Sequence, residues 1–314
     1  MNTKDYMAPM EGITNYIYRN AYHKYFHPMD KYFTPFITAK QNKRLSQKEH
    51  NEISPEKNAG LFVVPQILAN DAENFLQLAG IFREYGHTEV NLNLGCPSPT
   101  VTAKGKGSGF LAEPEKLERF LDTVFSRLDM KLSIKTRIGT DDSEEWELLM
   151  RIYNKYPLEE LILHPRLQKD YYQGKPNLNV FQDAVQNAKA PLCYNGDLRT
   201  AEDYRILIQR FPDTERFMYG RGLIANPGLV GEIRTGQKLE KTVLRQFHDE
   251  IYMSYQEVLS GDTNVLFRMK ELWAHMAGSF AHPEKYLKKI RKAKQCRDYE
   301  TAVDALFAEQ ALII

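Results

Sequence analysis

The sequence predicts an α/β protein, a (β/α)₈ TIM barrel over residues 1–237 followed by a small all-helical domain over residues 238–314. Over the first 225 residues, eight short apolar runs alternate with amphipathic stretches, which is typical of repeated βα units around a parallel sheet. After Pro227 this alternation stops, proline becomes rare and the spacing of the apolar residues turns helical. A doubly wound open sheet is the structural alternative for the first part of the chain.

Eight segments are predicted as strands, namely residues 6–8, 31–38, 61–67, 89–94, 131–137, 160–164, 191–195 and 216–220. Helical patterns lie between most of them, and the clearest two cover residues 72–85 and 114–128. Pro114 suits the first turn of the second helix, where its missing N–H costs nothing. The residues expected to face inward on these two helices are Phe75, Leu78, Ala79 and Phe82, then Leu117, Leu121, Val124 and Phe125.

The last 77 residues show helical spacing alone. The apolar residues expected to pack inward are Leu244, Phe247, Ile251, Tyr255 and Val258, then Leu272, Trp273, Met276 and Phe280, then Val303, Leu306 and Phe307. Residues 284–297 carry seven basic side chains against one acidic. On a helix, Lys285, Lys288, Lys289 and Lys292 would form one stripe, with Leu287 and Ile290 packing inward. A solvated helix face is the plain interpretation, but this density of one sign favours phosphate binding.

A second basic segment lies in residues 40–60, where the strand pattern breaks. It contains Lys40, Lys43, Arg44 and Lys48. A solvated connection and a contact with nucleic acid are both open for it.

Composition excludes several classes of protein. The 314 residues are 42% hydrophobic and 26% charged, with a net charge of +1, so overall charge does not indicate a partner. No apolar run approaches the roughly 20 residues that a membrane helix needs. The N-terminus has no apolar signal-peptide core. Cys96, Cys193 and Cys296 lie far apart, without a disulfide framework or a C-x-x-C metal pattern. We therefore expect a cytoplasmic protein without a metal site and without a membrane partner.

The stretch from Val90 to Pro99 is the centre of the predicted site. Its strand alternates Asn91 and Asn93 with leucines, and then turns through Gly95-Cys96-Pro97. A small buried hydrophobe is the ordinary role of a free cysteine, but a position between glycine and proline at a strand end favours chemistry. The loop that follows, residues 102–110, is basic and rich in glycine, and we expect it to be mobile and to cover a ligand.

Polar residues and tight turns follow seven of the eight predicted strands, where a barrel collects its active site. Lys135 lies within a largely apolar strand, so it is either solvated outside the barrel or paired inside it, because burying an unpaired ammonium is costly. Gly196 and Gly222 suit close backbone approach and Arg221 supplies a cation, so these turns favour a phosphate, with a short helix opening near Leu223. Tight turns without a ligand are the alternative.

These motifs together resemble the signature of the tRNA-dihydrouridine synthases. The matching residues, in order, are Ala8-Pro9-Met10, Gly95-Cys96-Pro97-Ser98-Pro99, Gly107-Ser108-Gly109, Lys135, His164, Asn195-Gly196-Asp197 and Gly220-Arg221-Gly222. The resemblance is strong over residues 5–230 and implies a TIM barrel. It departs from the family at His164-Pro165-Arg166-Leu167, where members commonly have His-Gly-Arg-Thr. Proline removes a backbone donor there and stiffens the turn.

The resemblance implies FMN-dependent reduction of specific uridines in tRNA to 5,6-dihydrouridine, with NADPH as hydride donor. Reduced flavin would deliver hydride from N5 to uracil C6, and Cys96 would protonate C5 from the opposite face. Lys135 and Gln66 would lie at the pyrimidine edge of the flavin, and His164 against the flavin or its phosphate. An ordinary thiol, with a pKa of about 8.5, is mostly protonated at neutral pH, as a general acid must be.

The resemblance divides the site residues into three sets. Cys96 is catalytic. The cofactor-binding set is Ala8, Pro9, Met10, Gln66, Asn93, Lys135, His164, Arg166, Asn195, Gly196, Asp197, Gly220, Arg221 and Gly222. The RNA-binding set is Lys104, Lys106, Lys285, Lys288, Lys289 and Lys292. Residues 1–237 would thus be the catalytic domain and residues 238–314 the RNA-binding domain.

Two other functions stay open at this stage. One is a flavin-dependent barrel that reduces a free pyrimidine or a small enone, and the other is an RNA-binding relative without catalysis. For the reduction of uridines to dihydrouridine, we expect tRNA as the partner, with ribosomal RNA open. We expect a monomer with no obligate protein partner.

Overall fold

Pro35 and Pro65 divide two of the eight predicted strands, because a proline has no N–H to give to a sheet. The computed structural model, which describes residues 3–314, therefore contains ten strand segments at the eight predicted places. They are β1 (Lys4–Met7), β2 (Lys31–Phe33), β3 (Ile37–Thr38), β4 (Val63–Val64), β5 (Gln66–Leu68), β6 (Glu89–Leu94), β7 (Lys131–Thr136), β8 (Glu160–Leu163), β9 (Leu192–Tyr194) and β10 (Arg216–Tyr219).

All the strand pairings are parallel, and they run in the order β3-β5-β6-β7-β8-β9-β10-β1-β2-β4. Because β2 and β3 belong to one interrupted strand, and β4 and β5 to another, the ladder closes on itself as an eight-stranded barrel. The predicted barrel is confirmed. An open, doubly wound sheet would leave two unpaired edges and does not fit this pairing.

The helices follow the strands as the amphipathic pattern predicts. They are α1 (Tyr16–Tyr25), α2 (Gln47–Ile53), α3 (Ala72–Glu84), α4 (Pro99–Thr102), α5 (Pro114–Arg127), α6 (Glu145–Tyr153), α7 (Leu178–Asn187), α8 (Ala201–Arg210), α9 (Arg221–Ala225), α10 (Leu229–Thr235), α11 (Lys241–Val258), α12 (Asp262–Met276), α13 (Glu284–Lys292) and α14 (Cys296–Glu309). Short 3₁₀ helices cover Pro55–Lys57, Gly107–Ala112, Gln168–Asp170 and Ala277–Ser279.

The predicted inward faces are largely confirmed, with three corrections. All four predicted residues of α3 are buried. On α5, Phe120 is buried in place of Phe125, which is half-buried and stacks on Tyr156. Val258 is 50% exposed because it is the last residue of α11, beyond the turn that packs inward. On α13, the side chain buried beside Ile290 is Tyr286, while Leu287 is only half-buried.

The chain forms two compact units. The first consists of residues 3–9, Asp30–Asp197 and Ile208–Tyr219, and it contains the barrel strands. The second consists of Met10–Met29, Leu198–Leu207 and Gly220–Ile314. The predicted all-helical region corresponds to α11 to α14 of the second unit and begins at Lys241. Since the second unit also contains α1 and α9, the predicted domain boundary after residue 237 stays a prediction. Across residues 3–314, none of the helices combines the length and the apolar character that crossing a bilayer requires.

Side chains of the barrel interior form layers along its axis. At the amino ends of the strands, Lys31 donates to Glu89 at 2.7 Å and to Glu160 at 3.0 Å, and Tyr6 donates to Glu160 at 2.6 Å. Burial raises the pKa of Glu89. The pKa of Lys31 is raised because the two carboxylates outweigh burial, which alone would lower it. The middle layer is apolar and includes Phe33, Val64, Ile162 and Met218. The third layer, at the carboxyl ends, is polar again and contains the candidate site.

Candidate active site

The turn after β6 is held by the side chain of the last inward-facing residue of that strand. Asn93 lies opposite Lys135 in the register of β6 and β7. Its carbonyl oxygen Oδ1 accepts the backbone N–H of Gly95 at 3.1 Å and that of Cys96 at 2.9 Å. The alternation of asparagine and leucine along β6 therefore brings an amide oxygen to the turn that carries the cysteine.

The Gly-rich loop holds the other side of Cys96. Ser108 donates its N–H and its hydroxyl to the carbonyl oxygen of Cys96, both at 3.0 Å. Gly107 has φ +58, and a Cβ there would lie 2.6 Å from the same carbonyl oxygen. Its glycine permits close approach to Cys96, and residues 107–112 form a 3₁₀ helix with Ser108 fully buried. The expected mobility of the loop stays a prediction. Sequence reasoning included Ser108 in the motif but gave it no role.

A row of amides leads from this turn into the barrel. Asn93 donates to Gln66 Oε1 at 2.7 Å, and Gln66 donates to Asn91 Oδ1 at 2.8 Å. Asn91 donates to Ser133 Oγ at 3.0 Å, and the Ser133 hydroxyl donates to Glu89 at 2.8 Å. At one end of the row the Asn93 oxygen accepts from backbone N–H groups, and at the other end the Ser133 hydroxyl donates to a carboxylate. Both ends require the amide N–H groups to donate towards Glu89, so the orientation of every amide in the row is fixed. Within residues 3–314, Gln66 and Asn93 each keep one amide N–H without a partner.

Lys135 is an unpaired cation beside Cys96. Its side chain faces the barrel interior with Asn93, and no residue in the described range 3–314 forms a hydrogen bond or an ion pair with its ammonium group. Burial, and then the positive charge of Arg137, lower its pKa to about 8, while Cys193 and, to a smaller extent, Cys96 act in the opposite direction. Of the two positions that the sequence left open, the structure has the interior one, without the partner expected there among residues 3–314. The ammonium is still mostly protonated at neutral pH.

Arg137 is a residue of the site that sequence reasoning missed. Its fully buried guanidinium donates to the carbonyl oxygens of Gly95 at 2.9 Å, Leu167 at 2.7 Å and Tyr171 at 2.6 Å. It also lies 5.4 Å from the ring of the exposed Tyr172. The period of two along β7 would have placed Arg137 on the same face as Lys135. It connects the cysteine turn to the loop after β8.

His164 and Arg166 follow β8 as predicted and contact each other. Arg166 Nη1 lies 3.0 Å from His164 Nε2 and donates to Asp197 Oδ1 at 3.2 Å. Arg166 Nη2 donates to Asp197 Oδ2 at 2.6 Å, and both His164 and Arg166 are buried. The structure thus brings three residues of the predicted cofactor set into one cluster.

The two turns that the sequence predicts to bind a phosphate belong to different units. In the first unit, Asn195 donates to the backbone of Met218 at 2.8 Å, and a Cβ on Gly196 would overlap the hydroxyl of Tyr194. In the second unit, a Cβ on Gly222 would overlap the backbone carbonyl of Leu198. Protein atoms therefore explain both glycines, and their part in phosphate binding stays a prediction. The predicted short helix is α9, which begins at Arg221, two residues before Leu223.

The remaining members of the cofactor set occupy ordinary backbone positions. Ala8 donates its N–H to the carbonyl oxygen of Tyr219 at 2.9 Å, which extends the pairing of β1 with β10. Met10 belongs to the second unit, where its N–H donates to Thr14 Oγ1 at 2.8 Å. Pro9 lies between them, and Gly220 precedes α9. Their contacts with a cofactor stay predictions.

Basic residues from two separate segments meet near the Gly-rich loop. Lys106 donates to the carbonyl oxygen of Ala39 at 3.2 Å, and Asn70 donates to the carbonyl oxygen of Lys104 at 2.9 Å. Burial lowers the pKa of Lys106, and the charges of Lys104 and Lys40 lower it further. The carboxylate of Asp71 acts on the pKa of Lys106 in the opposite direction, so positive and negative side chains both lie near this loop.

The four lysines of α13 are exposed, as the sequence predicts. They are Lys285, Lys288, Lys289 and Lys292. Lys285 lies 3.5 Å from Glu309 of α14, and this exposed pair reduces its availability as a cation.

Among residues 3–314, histidine, cysteine and carboxylate side chains do not form any group of three that could hold a metal ion.

Comparison with known proteins gives a consistent picture. The sequence profile of dihydrouridine synthases matches residues 6–312. The chain is 24% identical to the tRNA-dihydrouridine synthase B of Pasteurella multocida over 230 residues, which are 73% of this chain and 68% of that protein. It is 27% identical to the tRNA-dihydrouridine(16) synthase of Pseudomonas syringae over 246 residues, 76% of each chain. Among solved structures, morphinone reductase in complex with tetrahydroNAD superimposes with a TM-score of 0.52 and 13% identity, covering 76% of this chain and 88% of that one. That likeness concerns the fold alone.

Proposed function

The chain belongs to the dihydrouridine synthase family, and on that premise we propose that it reduces uridines in tRNA to 5,6-dihydrouridine with the help of a bound flavin. The observation that carries the proposal is the fixed position of Cys96. Asn93 and Ser108 hold its backbone at the carboxyl end of β6, and the unpaired ammonium of Lys135 acts on it electrostatically. The names of the two relatives support tRNA as the substrate.

The donors at this end of the barrel fit a flavin. Lys135 has an unpaired ammonium, and Gln66 and Asn93 each have an unpaired amide N–H within residues 3–314. The pyrimidine edge of a flavin has oxygen and nitrogen acceptors that gain negative charge on reduction, so a cation and two N–H groups suit it. We take the cofactor to be FMN, with NADPH as the source of its electrons, and Asn195–Asp197 of the first unit as candidates for holding its phosphate.

Cys96 is the proton donor in this proposal. A bound, reduced flavin would supply the hydride that is added to C6 of the uracil ring. The Cys96 Sγ–H bond then breaks, its proton goes to C5, and the C5–C6 double bond of the uracil becomes a single bond. The thiolate that remains is stabilised by the Lys135 ammonium and takes a new proton from solvent. The hydrogen bonds from Asn93 and Ser108 keep the turn of Cys96 in place during this transfer.

RNA binding requires positive surface, because a uridine must leave its stack before it can enter the barrel. Lys40, Lys104 and Lys106 lie together near the cysteine loop and suit backbone phosphates. The exposed lysines of α13 supply a second basic surface in the second unit.

The proposal is tested by mapping dihydrouridine, by mass spectrometry, in tRNA and ribosomal RNA from cells with and without this gene. We expect loss at a defined tRNA position, restored by the wild-type gene and not by Cys96→Ala. A reconstituted assay with FMN, NADPH and transcribed tRNA tests the same reaction directly. Activity on free uracil or orotate with none on RNA would contradict the proposal and favour a reductase of small pyrimidines.

A further inference from the structure

Every N–H donor of Arg166 is directed at an acceptor inside the protein. A guanidinium has five N–H donors and no acceptor. Nε donates to the carbonyl oxygen of Gln173 at 3.1 Å, and Nη2 donates to that of Gly174 at 2.6 Å and to Asp197 Oδ2 at 2.6 Å. Nη1 faces Asp197 Oδ1 at 3.2 Å and His164 Nε2 at 3.0 Å. The five donors thus have five acceptor atoms, and the residue is 1% exposed.

We infer that Arg166 is a positioning residue that fixes the tautomer of His164, and that it does not bind the cofactor itself. Because a guanidinium can only donate, the contact with Nε2 requires that nitrogen to accept. The ring proton of His164 is then on Nδ1, and the imidazole can donate a hydrogen bond only through that atom. A neutral N–H donor suits an acceptor atom of a ligand, such as a carbonyl or phosphate oxygen.

The backbone between the two residues supports this arrangement. The N–H of Arg166 donates to the carbonyl oxygen of His164 at 2.7 Å, which closes a three-residue turn centred on Pro165. An inverse γ-turn needs a central φ near −75°, close to the angle that a proline ring imposes. The proline that replaces the common glycine therefore stiffens the turn that brings His164 and Arg166 together.

Asp197 completes the unit from another strand. Its carboxylate accepts two hydrogen bonds from Arg166 and balances the buried guanidinium charge. The remaining donors of Arg166 hold the carbonyl oxygens of Gln173 and Gly174, so the same side chain also fixes the end of the loop after β8.

The tautomer is tested on purified protein carrying ¹⁵N in its eight histidines, with His164→Gln identifying the signals of His164. We expect a protonated Nδ1 and an unprotonated Nε2 in the wild type. Arg166→Lys keeps the charge but loses the planar fork, so the Nε2–H form should appear. Lys175→Gln removes an exposed charge from the same loop and should leave the pattern unchanged.

Two results would overturn the assignment. One is a wild-type His164 with its proton on Nε2. The other is an unchanged His164 pattern in a folded Arg166→Lys protein. If Arg166→Lys does not fold, the wild-type pattern decides alone.

The consequence for ligand binding rests on the proposed function and has its own measurement. FMN is titrated into flavin-free wild type, His164→Ala, Arg166→Lys and the double variant. Each single variant should bind FMN about tenfold more weakly, the effect of one lost hydrogen bond. The double variant should bind no more weakly than His164→Ala, because Arg166 acts through His164.

Losses that multiply to about a hundredfold would mean that Arg166 contacts the cofactor or acts independently, and would overturn the inference. A wild type that does not bind FMN would contradict the proposed function and leave the tautomer result standing.

Discussion

Ser108 donates two hydrogen bonds to the carbonyl oxygen of Cys96, one from its backbone and one from its hydroxyl, both at 3.0 Å. Twelve residues separate them, so the Gly-rich loop returns to the turn from which it started. Together with Asn93, which accepts the N–H of Cys96, Ser108 fixes the peptide groups on both sides of the cysteine. A thiol that must deliver a proton to one atom depends on such positioning.

Ser108→Ala removes the hydroxyl and keeps the backbone hydrogen bond. The loss of one hydrogen bond costs about 1 kcal/mol, so uridine reduction should fall roughly five- to tenfold. Bound flavin should be unchanged, because Ser108 has no part in the donor set of Lys135, Gln66 and Asn93. The measurement is the single-turnover rate with tRNA, and Ser126→Ala on an exposed position of α5 is the control. Full activity of Ser108→Ala would show that the cysteine turn does not need this contact.

Gly107→Ala tests the close approach of the loop. A Cβ at residue 107 would lie 2.6 Å from the carbonyl oxygen of Cys96, at a φ of +58 that side chains rarely adopt. The substitution should lower the free energy of unfolding by about 2–4 kcal/mol. Gly80→Ala is the matched control: a Cβ there meets nothing within 4 Å, and alanine in a helix should stabilise by up to about 1 kcal/mol. Urea unfolding of both variants measures the difference, and equal stabilities would contradict the packing described.

Lys135 should impose a pH dependence on the flavin-free protein. Its pKa is lowered to about 8 in the folded chain, whereas an unfolded lysine titrates near pH 10.4. Below pH 8 Lys135 is protonated in both the folded and the unfolded protein, and the folded protein bears the full cost of burying its charge. Between about pH 8 and 10.4 the unfolded state binds more protons, so this cost disappears as the pH rises.

Lys135→Met should therefore be more stable than the wild type at pH 7, by roughly 3 kcal/mol at most. The difference should shrink by pH 10. Lys131→Met, on the same strand with a side chain 62% exposed, is the control and should show no such convergence. Chemical unfolding at the two pH values gives the answer, and a constant difference between the wild type and Lys135→Met would refute the lowered pKa.

The sequence could predict those features that depend on local periodicity. The period of two along β6 correctly indicated that Asn91 and Asn93 share one face, whereas the sequence left the direction of Lys135 open and the structure decides it. Proline chemistry explains why two strands are interrupted, and that could have been predicted as well. The roles of Ser108 and Arg137 could not be predicted, because they consist of hydrogen bonds to backbone carbonyls far away in the chain. Arg137 reaches the carbonyl of Leu167 thirty residues on, and no local pattern records that contact.

The same limit applies to Arg166. A resemblance to a family can assign a residue to a site, but the number of donors already used depends on the folded loop. Only the folded structure shows that its five donors are fully occupied, by the carbonyl oxygens of Gln173 and Gly174, by Asp197 and by His164 Nε2.

The basic helix α13 should bind RNA through its charge. Reversal of Lys288, Lys289 and Lys292 to glutamate leaves the buried Tyr286 and Ile290 in place, so the helix should still pack. The affinity for tRNA should fall. The negative slope of log K against log salt should become less steep by up to about three, since each lost phosphate contact reduces the magnitude of this slope by slightly less than one. Filter binding at several salt concentrations measures the slope, and Lys238→Glu, an exposed lysine outside α13, is the control. Unchanged affinity and slope in the triple variant would assign tRNA binding to other surfaces, of which Lys40, Lys104 and Lys106 are the next to test.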